Sequence, residues 1–281
     1  MIRNNFKYCL NTATIRDKKL SLKDTLEVAS KAGYHAVEPW IDELDAAIAG
    51  GETPGSIRRM FSDYGLSLQG AIGFFEWAVD DKERRSAGFL EARRNMELLS
   101  GIGGSHLAAP PFGATTCDPL DLNIVAERYR KLLELGDEYG VSPLLEVWGF
   151  SRNISKLEEA LYVAARANHQ RACILADVYH LYKGGSGFEG LRLLHPSALP
   201  IFHVNDYPSS PGRETIVDAQ RVYPGDGVAP LSEIFSILYN NGFDGYLSLE
   251  LFNAEYYKME ALDNAATGLQ KLKRIDEVPG S

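Results

Sequence analysis

The sequence predicts an α/β protein of one architecture, a single (β/α)8 TIM barrel, and three observations lead there. Short apolar runs alternate with longer amphipathic ones from end to end. Glycines placed to end helices recur at Gly33, Gly65, Gly104 and Gly140, at intervals that suit βα units of about 30 residues or more. The alternation runs to eight strands and eight helices over 281 residues, which is about 35 residues per unit. Runs apolar on both faces belong to a parallel sheet covered by helices, and eight such units close into a barrel more naturally than they fill an open sheet. A doubly wound sheet, the competing fold, would usually carry a glycine-rich phosphate turn after its first strand, and Asn11-Thr12-Ala13-Thr14 is not one. No linker or low-complexity stretch marks a boundary, so residues 1–281 are expected to form one domain.

Each element has its own local reason. Phe6-Lys7-Tyr8-Cys9-Leu10-Asn11 reads as a buried first strand. Ser21-Leu22-Lys23-Asp24 supplies capping chemistry ahead of Leu26, Val28, Ala29 and Ala32, and Gly33 ends that helix. His35-Ala36-Val37-Glu38-Pro39-Trp40 is the second strand. Thr53-Pro54 opens the next helix as a cap followed by a first-turn proline, and Gly65 closes it before a third strand over 66–73. A long helix over 86–99 precedes the strand Ser105-His106-Leu107-Ala108-Ala109-Pro110, and a helix over 124–139 precedes Pro143-Leu144-Leu145-Glu146-Val147-Trp148. A helix over 156–167 leads to Ala172-Cys173-Ile174-Leu175-Ala176-Asp177, and a shorter one over 188–194 to Pro200-Ile201-Phe202-His203-Val204-Asn205. Residues 230–239 are helical, Tyr246-Leu247-Ser248-Leu249-Glu250-Leu251 is the eighth strand, and 259–275 the last helix.

Charge and composition exclude several classes. With 29 Lys and Arg against 38 Asp and Glu, the chain carries −9 with His neutral, whereas a nucleic-acid footprint needs clustered Lys and Arg. No nucleic-acid partner is therefore expected. No apolar run reaches the ~18 residues of a membrane span, and Met1-Ile2-Arg3-Asn4-Asn5-Phe6-Lys7 lacks the apolar stretch of a signal peptide. Cys9, Cys117 and Cys173 form no close pair, and Cys9 and Cys173 read as reduced core thiols. A cytoplasmic location is the expectation, with the oligomeric state left open, a homo-oligomer included. There is no His-Glu-x-x-His helix, Cys-x-x-Cys pair or Walker loop, and Gly184-Gly185-Ser186-Gly187-Phe188 breaks the Gly-x-Ser-x-Gly elbow at its last place.

In such a barrel, functional residues sit at the carboxyl ends of the strands. That rule selects Glu146, Asp177, His203 and Glu250, at the ends of strands five to eight. Singly, each acid could be an ion-pair partner for a neighbouring Lys or Arg. Together, three carboxylates around one barrel mouth repel each other and are costly to bury. A divalent cation resolves that conflict, and three carboxylates with one imidazole suit Mn²⁺, Zn²⁺, Co²⁺ or Mg²⁺. His180 lies three residues after Asp177, and Arg221 sits beside the Pro224-Gly225-Asp226-Gly227 loop; both are candidates to bind substrate oxygens. Glu38, at the end of strand two, joins the site or holds its rim, and Trp40, Trp148 and Phe74 are candidates for an apolar wall. Asp206, three residues after His203, is placed to orient the imidazole from behind.

Leu145-Glu146-Val147, Asp177-Val178-Tyr179-His180, Phe202-His203-Val204-Asn205-Asp206, Arg221-Val222-Tyr223-Pro224-Gly225-Asp226-Gly227 and Leu249-Glu250-Leu251-Phe252 resemble, in order and spacing, the xylose-isomerase-like superfamily of sugar isomerases and epimerases. Ser248 to Lys258 and Cys9 to Thr14 resemble the inosose isomerases (2-keto-myo-inositol isomerases) of inositol catabolism within it. The resemblance implies one divalent metal held by Glu146, Asp177, His203 and Glu250, with Glu146 and Glu250 exchanging a proton with a sugar or cyclitol ketone. It implies substrate contacts from His180, Arg221, Glu38 and Trp148. Three positions depart from it: Trp40 and Asn253 stand where those enzymes carry arginines, and Phe150 where they carry a histidine. The departures line the substrate pocket and leave the substrate open. An inosose dehydratase shares the first proton removal, a metal-dependent endonuclease shares the barrel, and a sugar-binding barrel would need no catalysis. Six histidines and the −9 charge argue against the endonuclease.

Overall fold

A computed structural model describes residues 6–276; most of the N-terminal segment read for a signal peptide lies outside them. Its strands are β1 (Lys7–Asn11), β2 (Ala36–Glu38), β3 (Ser67–Leu68), β4 (Gly70–Ala71), β5 (His106–Ala109), β6 (Ser142–Glu146), β7 (Cys173–Asp177), β8 (Ile201–Val204) and β9 (Tyr246–Leu249). All pairings among them are parallel. The order is β3-β2-β1-β9-β8-β7-β6-β5-β4. β3 and β4 are two halves of one stave interrupted at Gln69: the first half pairs with β2 and the second with β5. That single stave closes the ring, so the eight strands read from the sequence appear as nine segments of a barrel.

The helices around it are α1 (Leu22–Ala32), α2 (Ile41–Ala49), α3 (Pro54–Asp63), α4 (Lys82–Ile102), α5 (Leu122–Tyr139), α6 (Leu157–Ala167), α7 (Val178–Gly184), α8 (Leu231–Asn240) and α9 (Ala261–Asp276). Ser21 Oγ accepts from Asp24 N and Thr53 Oγ1 from Ser56 N, capping α1 and α3. Gly33 and Gly140 end α1 and α5 in the left-handed conformation, and Gly103, one residue before the glycine picked from sequence, does so for α4. The alternation is not strict. The sequence reading lacks α2 and α7, and its helix over 188–194 is instead a 3-10 turn at Glu189–Leu193. Among the described residues no helix is long and apolar enough to cross a membrane.

Strand alternation divides the core in two. Inward-facing Ile72, Ala108, Leu144, Cys173, Leu175 and Ile201 fill the barrel. Their outward neighbours, Leu145, Ile174, Phe202, Val204, Leu247 and Leu249 among them, join the larger core between sheet and helices. The inward parity then carries chemistry. Two residues beyond Leu144, Leu175, Ile201 and Ser248 come Glu146, Asp177, His203 and Glu250, all buried. Register sets Asp177 beside His203 on β7 and β8, and Asn11 beside Glu38 on β1 and β2.

Candidate metal centre

Asp177, His203 and Glu250 each offer one ligand atom, and the three atoms lie within 4.8 Å of one another. Their surroundings fix how each is presented. His203 Nε2 sits 2.8 Å from Glu38 Oε2, an oxygen that also accepts from Asn11 Nδ2 at 3.0 Å and Ser248 Oγ at 2.9 Å. With only donors around Glu38 Oε2, Nε2 carries the proton and Nδ1 is aimed inward. Nδ1 lies 3.4 Å from Glu250 Oε2 and 4.0 Å from Asp177 Oδ2, with no hydrogen-bond partner of its own. Burial disfavours charge on this ring, but the carboxylates of Glu250 and Glu38 outweigh it and hold its pKa well above the ordinary histidine value. The same negative field would hold a divalent cation.

The other side chains divide between ligation and support. Asp177 Oδ1 accepts from His180 N at 2.8 Å, capping α7, while Oδ2 accepts from Asn205 Nδ2 at 2.7 Å and Arg221 Nη1 at 3.2 Å. Glu250 Oε1 accepts from Asn11 Nδ2 at 3.2 Å and Oε2 from Arg221 Nη1 at 2.7 Å. Burial pushes the Glu250 carboxyl up, but His203 and Arg221 pull it well below the usual carboxylate range. Glu146, at the end of β6, stands apart from the three-atom cluster. Its Oε2 is buried without a partner, and burial, with Glu250 adding to it and His203 opposing, pushes its pKa up to about 8.

Arg221 is fully buried, with its guanidinium 4.5 Å from the Tyr179 ring and 5.0 Å from the Phe252 ring. Besides Asp177 and Glu250 it binds Asp218, and its Nη2 lies 3.1 Å from His180 Nε2. His180 is held neutral: burial first, then the Arg221 charge, lowers its pKa to about 4. Among the described residues, Arg221 is the one guanidinium paired with the acids Glu38, Glu146, Asp177 and Glu250, so the cluster keeps an excess of negative charge. That excess, with His203 Nδ1 and Glu146 Oε2 buried and unpartnered, fits a divalent ion held by carboxylates and one imidazole.

One residue lies elsewhere than the sequence reading puts it. Asp206 does not reach the imidazole; its carboxylate accepts from the backbone N–H groups of Tyr207, Gly225, Gly227 and Ala229 at 2.7–3.0 Å and pins the loop after Arg221. A local pair three residues apart along the chain loses here to Glu38, which reaches His203 across the barrel. Of the two places the sequence leaves open for Glu38, it takes the one in the site: it is wholly buried behind the imidazole, not at the rim. Trp148 is on the rim, its ring 6.0 Å from Phe74 and 5.2 Å from Phe150. Asn11, Asn205 and Asp218 escaped the sequence reading; the first two were open to it as polar residues of inward parity at strand ends.

The matching model is that of the xylose isomerase-like TIM barrel, over residues 26–275, and the chain belongs to that family. Within it, the chain is 26% identical over 276 residues to the inosose isomerase of Bacillus velezensis, with 96% of each chain covered. It is 28% identical over 279 residues to that of Bacillus licheniformis, covering 93% of this chain and 94% of the relative. The crystal structure of the IolI protein with a bound zinc atom shares the fold at a TM-score of 0.87 and 23% identity, over 96% of this chain and 98% of that one.

Proposed function

We propose that the chain is a divalent-metal-dependent isomerase or epimerase of a ketose or keto-inositol, the 2-keto-myo-inositol type of its inosose isomerase relatives being the reference substrate. The reading rests on the convergence of Asp177, His203 and Glu250 at the barrel's carboxyl mouth, with Glu146, whose Oε2 is buried without a partner, in electrostatic reach of them. Glu146, Asp177, His203 and Glu250 would hold Mn²⁺, Zn²⁺, Co²⁺ or Mg²⁺, an ion whose chemistry is to polarise a carbonyl and its neighbouring hydroxyl. Glu146 removes a proton from the carbon next to the carbonyl, and the electron pair moves onto the carbonyl oxygen. Glu250 takes up a proton from solvent, as Glu146 gives its own up to solvent, and returns it to the substrate. Return to the same carbon from the other face gives an epimer; return to the former carbonyl carbon, with the hydroxyl proton passing between oxygens, gives the isomeric ketone. Neutral His180 and the Arg221 guanidinium bind substrate oxygens, and the Trp148 indole borders the pocket. The partner is thus a small-molecule ketone, and a cytoplasmic single-domain enzyme is the setting that goes with it.

Product analysis by NMR with metal-loaded protein tests the reading on a panel of ketoses and inososes. A product of unchanged composition, isomeric at or next to the carbonyl, is expected. Loss of one water would make the chain a lyase, and no product from any member would overturn the reading.

A further inference from the structure

We infer that the substrate has a hydrocarbon edge: a cyclic α-hydroxyketone whose ring is deoxygenated on the side away from the ketone. This deepens the reading above, on which it rests for the position of the ketone.

Two places on from Glu38, Glu146 and Glu250, past the strand ends, come Trp40, Trp148 and Phe252, and Trp40 packs against the cluster that fills the barrel. Phe74 stands in the same relation to inward-facing Ile72. These rings are in continuous contact: Phe252 to Trp40 at 6.4 Å, Trp40 to Phe74 at 5.1 Å, Phe74 to Trp148 at 6.0 Å, Trp148 to Phe150 at 5.2 Å and Phe150 to His180 at 5.7 Å between centroids. His180 Nε2 meets Arg221 Nη2 at 3.1 Å, and the Arg221 guanidinium lies 5.0 Å from the Phe252 ring, which closes the circuit. The layer above the carboxylate cluster is therefore an aromatic collar with one polar sector, His180 and Arg221.

The remaining arc has little to offer a hydroxyl. Phe74, Phe150 and Phe252 carry no donor or acceptor, the Trp40 indole N–H already faces Asn11 Oδ1 at 3.4 Å, and the Trp148 indole N–H is turned to the Glu146 carboxyl. Arg16 stacks on the Trp40 ring at 3.9 Å and pairs through Nη2 with Asp42, and its Nη1, though without a partner, is buried out of reach of the mouth's solvent. A hydroxyl pressed on this arc gives up water without gaining a partner, at a cost of about tenfold in affinity for each one stranded. A hydrocarbon edge gains contact there instead.

The test compares 2-hydroxycyclohexanone with 2-keto-myo-inositol on metal-loaded protein. Binding is read by calorimetry, and proton exchange next to the ketone by NMR in D₂O. The native chain is expected to bind the deoxygenated ring at least about tenfold more tightly. The double variant Trp40→Arg, Phe150→His should shift the ratio by about tenfold or more toward the inosose. Equal or tighter binding of the inosose by the native chain overturns the inference, as does an unshifted ratio in a folded double variant or no saturable binding of either ring. The expected binding preference without exchange of either compound would uphold the collar and overturn the isomerase reading.

Discussion

Glu38→Gln is the change that most sharply probes how the centre is built. Three donors, Asn11 Nδ2, His203 Nε2 and Ser248 Oγ, converge on Glu38 Oε2 at 2.8–3.0 Å, while Oε1 is buried with no partner. In the glutamine variant the amide oxygen takes the place of Oε2 and keeps all three bonds in geometry. The NH2 then occupies the place of Oε1, where nothing accepts from it, and a stranded buried donor costs about 1–3 kcal/mol of stability. The larger effect is on His203. Loss of the carboxylate charge behind Nε2–H makes Nδ1 a poorer ligand, and such partners are worth about 10–100-fold in metal affinity, or roughly 1.4–2.8 kcal/mol. Competition with a chelator for Zn²⁺ or Mn²⁺ measures this, with urea unfolding in parallel. Asp206→Asn is the control: it loosens the 225–229 loop, yet metal affinity should stay within about threefold because Asp206 shares no partner with His203. Equal losses in both variants, or an unchanged affinity in Glu38→Gln, would refute the assignment of Glu38 as the group that positions the imidazole.

Further predictions concern charge. Arg221→Ala should destabilise the metal-free protein by about 3–5 kcal/mol, because Asp177 and Glu250 lose their buried counter-charge; thermal unfolding with and without divalent metal should show the metal recovering more stability in the variant than in the native chain. Glu146, with its pKa raised to about 8 in the metal-free protein, must release a proton to become a ligand. Below that pH its contribution makes affinity climb with pH by about tenfold per unit, and calorimetry in buffers of different ionisation heat should count one proton fewer for Glu146→Gln. His180 moves stability the other way along the pH scale from a raised group. Its folded pKa is lowered from 6.5 to about 4, so the folded state binds fewer protons and stability is lost as pH falls through that window. Metal-free protein should lose about 3 kcal/mol from this group, and His180→Gln should flatten the slope of urea-derived stability between pH 7 and 4.

Much of this was legible in the chain because barrels repeat local rules. Helix caps at Ser21 and Thr53 and stops at Gly33 and Gly140 are nearest-neighbour chemistry, and they fall where the sequence puts them. The strand-end places of Asp177, His203 and Glu250 follow from period-two alternation continued past an apolar run. The rest is non-local. Glu38 finds His203 165 residues away, whereas sequence proximity points to Asp206, whose carboxylate the backbone of residues 225–229 takes instead. The split of the third stave at Gln69 follows from pairing with both neighbours of a closed ring, which no single run reveals. Two helices had overlooked local signals. Asp177 caps α7 through His180 N, an Asp-x-x-His start hidden by reading the aspartate only as a strand end. Ile41, Leu44 and Ile48 carry the spacing of α2, and Glu43 Oε2 accepts from Trp40 N at its start.

The central claim is that Glu146 moves a proton on a carbon next to a carbonyl held over Asp177, His203 and Glu250. Its most direct test is NMR in D₂O of a keto-inositol or ketose substrate with metal-loaded native protein and with Glu146→Gln. Deuterium should enter next to the carbonyl with the native chain and at least about 100-fold more slowly with the variant. Equal incorporation by both, or none with the native chain for any ketone of the panel, would contradict it.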